Sequence, residues 1–305
     1  VAVLLPESSR RRLEALLGSA VRAVATVSGG DINDAYRITL ADGRRLFVKT
    51  SRDAPPDFYA REAEGLTYLQ AGLGSSGQGS SGLGSSGQGS SGNLRVPAVV
   101  AQSDALLVLE YLEVCALTPR IEEELGRGLA QLHRASPGRF GLEYDNYIGT
   151  LVQPNGSLGS WAAFYGEKRL LHQARLPEAD RLLTTQLRRR LERLVSRLGE
   201  LLECEEPPAR LHGDLWGGNW LPTQDGPFLV HPAVYGGHRE VDLAMMALFG
   251  GFSERVFAAY REAAPLAPGF EARVPIHQLY PLLVHLNLFG APYLSRVERV
   301  LGDFA

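Results

Sequence analysis

The chain has 305 residues, a formal net charge of −3 and an apolar fraction of 45%. That length suggests two domains or one large one, with an ordinary share of core-forming residues. The balance of charge gives no broad basic surface for nucleic acid, and no apolar run is long enough to span a bilayer. The two cysteines, Cys115 and Cys204, lack metal-ligand spacing, so a reducing cytoplasm fits better than a disulfide framework.

Residues 1–5 are apolar but short. They lack a charged start and a cleavage site, and no signal peptide is read there. Strand patterns over 23–28 and 35–40 flank Gly29-Gly30-Asp31-Ile32-Asn33, and the turn signal Ala41-Asp42-Gly43 leads into a third strand, Leu46-Phe47-Val48-Lys49. Residues 58–70 read as a helix. Residues 73–82 spell LGSSGQGSSG, and 83–92 repeat that string without change. Such a segment cannot bury a core and reads as a mobile linker, an engineered insertion more than natural drift. An extended segment begins at Val96-Pro97, and residues 106–111 read as a buried strand. The remainder is mainly helical. Thr118 is an N-cap with Pro119 at the first helical position, followed by the apolar stripe Ile121, Leu125, Leu129 and Leu132. A second stripe runs through Leu187, Leu191, Leu194, Leu198 and Leu201. The basic run Arg188-Arg189-Arg190 lies in that segment and reads as a solvated helix face. The fold class is therefore α+β, with a sheet-rich lobe over 1–110 and a larger helical lobe over 111–305.

Residues 211–219 read LHGDLWGGN, placing Asp214 and Asn219 five residues apart in a Gly-rich loop. Kinase-like phosphotransferases use that spacing for a catalytic base and a magnesium ligand. Aspartate accepts the proton of an attacking hydroxyl, and the asparagine carbonyl suits a hard cation. His212 is read as a brace for the loop. On the nucleotide side, Gly29 and Gly30 would let backbone N–H groups approach phosphates, although a Gly-Gly hairpin turn is common. Lys49 ends an apolar strand, a position more often merely solvated. Glu62 on the next helix is its expected partner, preferred over Glu64 because residues two apart on a helix point different ways. The segment from Glu110 to Leu112 would join the lobes and offer backbone groups to adenine, or be an ordinary strand end.

HGDLWGGN, PAVYGGHRE and VDLAMMALFGGF resemble the fructosamine kinase (ketosamine kinase) family. SGGDINDAYRI, LFVKT, RVPAVV, LVLEYLE, ELGRGLAQLH, FGLEYDNYIGTL and LYPLLVHLNLFG look like further blocks of its bacterial members, in order along most of the chain. HGD alone is shared with aminoglycoside and choline kinases; the combination is more specific. The resemblance implies a two-lobed protein-kinase-like fold, ATP and magnesium, and phosphorylation of a sugar hydroxyl on a free or protein-bound ketosamine, which serves deglycation. By the same resemblance Asp214 is the base, Asn219 a metal ligand, and Lys49 with Glu62 the phosphate-positioning pair. Trp216, Tyr235 and His238 fall on the substrate side. Arg239, Glu240 and Asp242 lie in the same blocks, with Asp242 bracing the catalytic loop. His285 and Asn287 are read as sharing a helix face that reaches the sugar pocket.

One position departs from the family. The pattern has a metal-binding Asp before Pro232-Ala233, and this chain has His231. Imidazole brings no negative charge and suits zinc or nickel better than magnesium. Poor turnover is expected. A substitution introduced into the sequence, a natural pseudokinase that only binds nucleotide or ketosamine, and an altered metal preference each account for it. A kinase acting on an aminoglycoside or a choline-like alcohol is the other alternative, but neither an acidic cleft nor an aromatic cage is evident.

Overall fold

The computed structural model describes residues 5–27, 34–51, 54–74, 93–203 and 206–304. Gly29, Gly30, Cys204 and residues 75–92 of the repeat lie outside them.

The chain enters through α1 (Glu7–Leu17), stopped by Gly18 in the left-handed conformation. The strands β1 (Val21–Thr26), β2 (Asp34–Leu40) and β3 (Arg45–Thr50) follow, then α2 (Phe58–Leu73), β4 (Val99–Ser103) and β5 (Leu106–Glu110). They form one antiparallel sheet in the order β1-β2-β3-β5-β4. Strand β5 is apolar on both faces because both are covered. Leu106 and Val108 join Leu13 of α1 and Val48 in one cluster. Leu107 and Leu109, on the opposite face, pack with Phe58, Leu66 and Leu69 of α2.

The rest is mostly helical. Helix α3 (Pro119–Arg134) begins as its sequence predicts: Thr118 Oγ1 accepts from the Ile121 amide, and Ile121, Leu125, Leu129 and Leu132 are buried. A small hairpin, β6 (Asn146–Ile148) and β7 (Leu151–Gln153), follows. Helix α4 (Trp161–Phe164) runs through a π-helical segment (Tyr165–Leu171) into α5 (His172–Arg175), α6 (Pro177–Leu182) and α7 (Thr185–Leu201). On α7, Leu187, Leu191, Leu194 and Leu198 are buried. Strands β8 (Ala209–Leu211), β9 (Trp220–Thr223), β10 (Gly226–Leu229) and β11 (Tyr235–Gly237) come next. Four helices close the chain: α8 (Glu240–Phe249), α9 (Glu254–Ala263), α10 (Phe270–Phe289) and α11 (Leu294–Asp303).

Helix α10 contains Pro275 and Pro281. Pro281 has no N–H for the His277 carbonyl, an interruption that would ordinarily break a helix. The Tyr165 hydroxyl repairs it. It donates, shared, to the carbonyls of Ile276 and His277 at 2.9 and 3.0 Å, and accepts from the Tyr280 amide at 3.3 Å. Among the described residues no helix is long and apolar enough to cross a membrane.

The site is placed by two pairings. Strand β11 pairs with β8, and β10 with β9, both antiparallel. The loop between β8 and β9 is thereby set beside the segment between β10 and β11. The first carries Asp214 and Asn219; the second carries His231.

Candidate active site

The Asp214 loop is clamped from below. Asp242 accepts from the backbone amides of His212 and Gly213 at 2.8 and 2.9 Å, and its Oδ2 lies 3.2 Å from His133 Nε2. Burial alone would raise the Asp242 pKa; the hydrogen bond from His133 leads the effects that hold it low. His212 bridges the two segments: its Nε2 lies 3.0 Å from the Val230 carbonyl, and its Nδ1 accepts from the Asp214 amide at 3.3 Å. Burial depresses the His212 pKa, which keeps the ring neutral. Gly213 has φ +82°, and a Cβ there would stand 2.0 Å from the Ala233 carbonyl oxygen. Only glycine lets the two segments approach so closely.

Asn219 completes the loop. Its Nδ2 donates to the Asp214 carbonyl at 2.8 Å and to Asp214 Oδ2 at 2.9 Å. Both oxygens that can serve a cation or a hydroxyl, Asn219 Oδ1 and Asp214 Oδ1, are left by that arrangement.

Across the cleft, Lys49 Nζ lies 2.6 Å from Glu62 Oε1, with both side chains largely buried. Glu64 instead pairs with Arg61 at 2.8 Å. Burial would push the Glu62 carboxyl up, but the adjacent Lys49 ammonium outweighs it and holds it below the ordinary carboxylate range. The ammonium has a second acceptor, His231 Nδ1 at 2.9 Å. Lysine can only donate, so Nδ1 carries no proton. Glu62 Oε2, 3.5 Å from the same nitrogen, therefore gains no hydrogen bond from it. His231 adopts φ +55°, a left-handed conformation that histidine enters more readily than most non-glycine residues.

These donors do not make a magnesium site. Magnesium prefers an octahedron of oxygens. The cleft offers the Asp214 carboxylate, the Asn219 amide and, where a second carboxylate is needed, a neutral ring whose Nδ1 is already engaged by Lys49.

The other expected site residues divide sharply. Glu110 turns its carboxylate back onto the Ala98 amide at 3.0 Å, and the Glu110 amide donates to the Ala98 carbonyl. Leu112 is half-buried in the connection that follows. Trp216 is 44% exposed, its ring lying over Gly218. Burial or bonding takes Tyr235, His238 and Asn287 away from a substrate role. Tyr235 is fully buried, its ring beneath the Arg169 guanidinium at 3.9 Å. His238 is 3% exposed and stacks on His277 with centroids 5.6 Å apart. Asn287 spends its amide on the Ala179 amide, on Gln173 and on the Leu283 carbonyl, tying α10 to α6. His285 stacks on Phe249 at 4.3 Å and contacts the Pro281 carbonyl. Residues two apart on a helix lie about 200° apart, so a face shared by His285 and Asn287 was geometrically unavailable.

His238, Glu240 and His277 bring ligand atoms close together in the interior. Hydrogen placement argues against a metal. Arg273 holds Glu240 with two bonds of 2.8 and 2.6 Å. Trp161 Nε1 donates to His277 Nε2 and the Glu240 amide to His238 Nδ1, which fixes protons on the opposite ring nitrogens. His277 would have to offer a metal the nitrogen that carries its proton.

Sequence reasoning missed the hairpin β6–β7. Asn146, Tyr147 and Gly149 line the cleft with Phe58, Arg61, Glu62, Asp214 and residues 231–233. The block FGLEYDNYIGTL contains them, but nothing in its periodicity points to a site.

A family model described as "Fructosamine kinase" matches residues 7–304. A "Probable ketoamine kinase" of Enterococcus faecium is 36% identical over 287 residues, covering 92% of this chain and 95% of that protein. The crystal structure of a "putative fructosamine-3-kinase" from Thermobifida fusca superposes with a TM-score of 0.84 at 40% identity, over 98% of each chain. An aminoglycoside phosphotransferase, APH(2")-IIa, solved with streptomycin and ATP, shares the two-lobed kinase-like fold at a TM-score of 0.62 and 17% identity, over 99% of this chain and 97% of that one.

Proposed function

The chain belongs to the fructosamine kinase family, and on that premise we propose that it is an ATP-dependent phosphotransferase acting on a sugar hydroxyl of a ketosamine. The supporting observation is one cleft lined by Asp214 and by Glu62, the carboxylate that holds Lys49. ATP lies between the lobes, its adenine against the backbone of residues 110–112 and its phosphates toward Lys49. The acceptor hydroxyl approaches from the Asp214 side. Asp214 takes its proton as the oxygen attacks the γ-phosphorus; the new O–P bond forms as the bond to the departing ADP oxygen breaks. Asn219 fixes the Asp214 carboxylate by holding Oδ2, so Oδ1 faces the hydroxyl. Phosphorylation of the sugar labilises the adduct and serves deglycation.

His231 sets the level of activity. Charge neutralisation at the phosphates is worth several kcal/mol of barrier, and each ~1.4 kcal/mol is tenfold in rate. With an engaged imidazole in place of a carboxylate, the chain turns over slowly. The same observation favours one second reading, a protein of this fold that binds nucleotide or ketosamine without efficient transfer.

The test is ADP release by this chain and by its His231→Asp form, with a glycated lysine derivative, choline and a kanamycin-like amine as acceptors. The ketosamine should be the preferred acceptor of both proteins. Preference for choline or the aminoglycoside would overturn the substrate assignment, and nucleotide binding without turnover in the Asp form would establish the second reading.

A further inference from the structure

We infer that the β6–β7 hairpin is a strap that holds α2, and with it Glu62, in the position where it engages Lys49, and that Tyr147 is its principal positioning residue. The inference rests on the phosphotransferase reading only in what it says about nucleotide affinity.

The strap grips α2 at its N-terminal end. The Tyr147 hydroxyl donates to the Pro56 carbonyl at 2.7 Å, one residue before the Asp57 cap of α2. The Tyr147 ring packs on Phe58, the first residue of the helix, with centroids 5.4 Å apart. One turn on, the Arg61 guanidinium lies 4.5 Å over the ring of Tyr144, just ahead of the hairpin. The end of α2 that precedes Glu62 is thus tied to the helical lobe as well as packed on its own sheet.

The same hairpin holds the segment on which α2 rests. Asn146 Nδ2 donates to the Val234 carbonyl at 2.9 Å, and Gln153 Nε2 to the Ala233 carbonyl at 3.1 Å. A Cβ on Gly65 of α2 would come within 3.2 Å of Pro232 and 3.5 Å of Val234, so helix and segment are in direct contact. The amides that hold the segment are themselves fixed. Gln153 also donates to Asn146 Oδ1 and accepts from the Tyr280 hydroxyl at 2.6 Å, and Asn155 ties Asn146 to the buried Arg169. The Asn146 and Gln153 amides are thereby bonded at both ends, which stiffens the hairpin. One rigid unit therefore presents both faces of the contact with α2: a floor at residues 232–234 and a clasp at Tyr147. A kinase-like site needs its Lys–Glu pair formed, and here the pair is held by a permanent piece of the fold, with no added charge on the segment.

The experiment compares Tyr147→Phe and Tyr147→Ala with the parent in two measurements. Amide hydrogen exchange of residues 58–66, referenced to α7, reads the strap directly. Calorimetric titration with ATP, with and without magnesium, reads its consequence, and is repeated in a Glu62→Gln background. Tyr147→Ala should accelerate exchange in α2 about tenfold and weaken ATP about fivefold, with Tyr147→Phe in between. The effect on ATP should vanish when Glu62→Gln has already broken the pair, which a merely destabilising change would not do. Unchanged exchange in α2, or equal weakening in both backgrounds, overturns the inference. If neither the parent nor its His231→Asp form binds ATP, the phosphotransferase reading fails by itself, and exchange still decides the strap.

Discussion

His231 Nδ1 sits 2.9 Å from Lys49 Nζ and occupies one of the three N–H donors of the ammonium. Glu62 occupies a second, which leaves a single N–H for a phosphate oxygen. Set against the aspartate that the family resemblance implies here, the proposed effect of His231 is twofold: a carboxylate fewer for the cation and one lysine N–H fewer for the phosphates.

His231→Asp should raise kcat with magnesium about a hundredfold, the equivalent of ~2.7 kcal/mol of barrier. Steady-state ADP release measures it. Equal rates for the two proteins would show that the second carboxylate is dispensable here.

The Lys49–Glu62 pair is buried, so removing one partner strands the other. Lys49→Met should destabilise the fold by about 3 kcal/mol, and Lys49→Met with Glu62→Leu should recover most of that loss. Chemical denaturation of the single and double variants gives the comparison; a double variant no more stable than the single would show that Glu62 tolerates isolation.

Acid should loosen the helical lobe in a defined window. Burial depresses the pKa of His277 well below its ordinary value of 6.5, with His238 and Arg273 adding to the effect. Burial likewise lowers His238, with Glu240 and Glu206 opposing. Below pH 6.5 the unfolded chain binds protons that the folded chain refuses, so stability declines from about pH 6.5 downward and levels off below the folded values. Glu62, held low by Lys49, contributes above its ordinary value of 4.5, and that contribution is lost only as pH falls from there through the lower folded value. Tm should therefore drop between pH 7.5 and 5.5, and His277→Gln, whose amide oxygen can accept from Trp161, should flatten that drop. A Tm unchanged over this range would contradict the buried neutral pair.

Gly213→Ala should cost about 3 kcal/mol or more, because the new Cβ meets the Ala233 carbonyl in a left-handed backbone. Thermal melts and turnover should fall together, since the contact joins the two segments of the site. Undiminished turnover would mean that the segments can separate without harm.

The Asp214 loop could be read from the chain because its chemistry is local, five residues from aspartate to asparagine. Glu62 was legible for a similar reason, since helical spacing separates it from Glu64. Residues read on the substrate side but buried in the interior illustrate the opposite case. Tyr235 and His238 sit in polar-looking blocks, yet Arg169 and His277, distant in sequence, bury them. The hairpin around Tyr147 has strands of three residues, too short for an alternation to register. Pro281 interrupts the ladder of α10, and only the packed structure supplies the Tyr165 hydroxyl that compensates for it.

That repair has a bearing on the order of assembly. A helix whose ladder is completed by Tyr165 cannot be stable as an autonomous segment through residues 276–281. Its second half depends on the docked π-helical turn. The interior of the larger lobe is therefore built by coincidence of two segments more than a hundred residues apart, and a chain released before residue 281 has emerged would hold Tyr165 with nothing to complete.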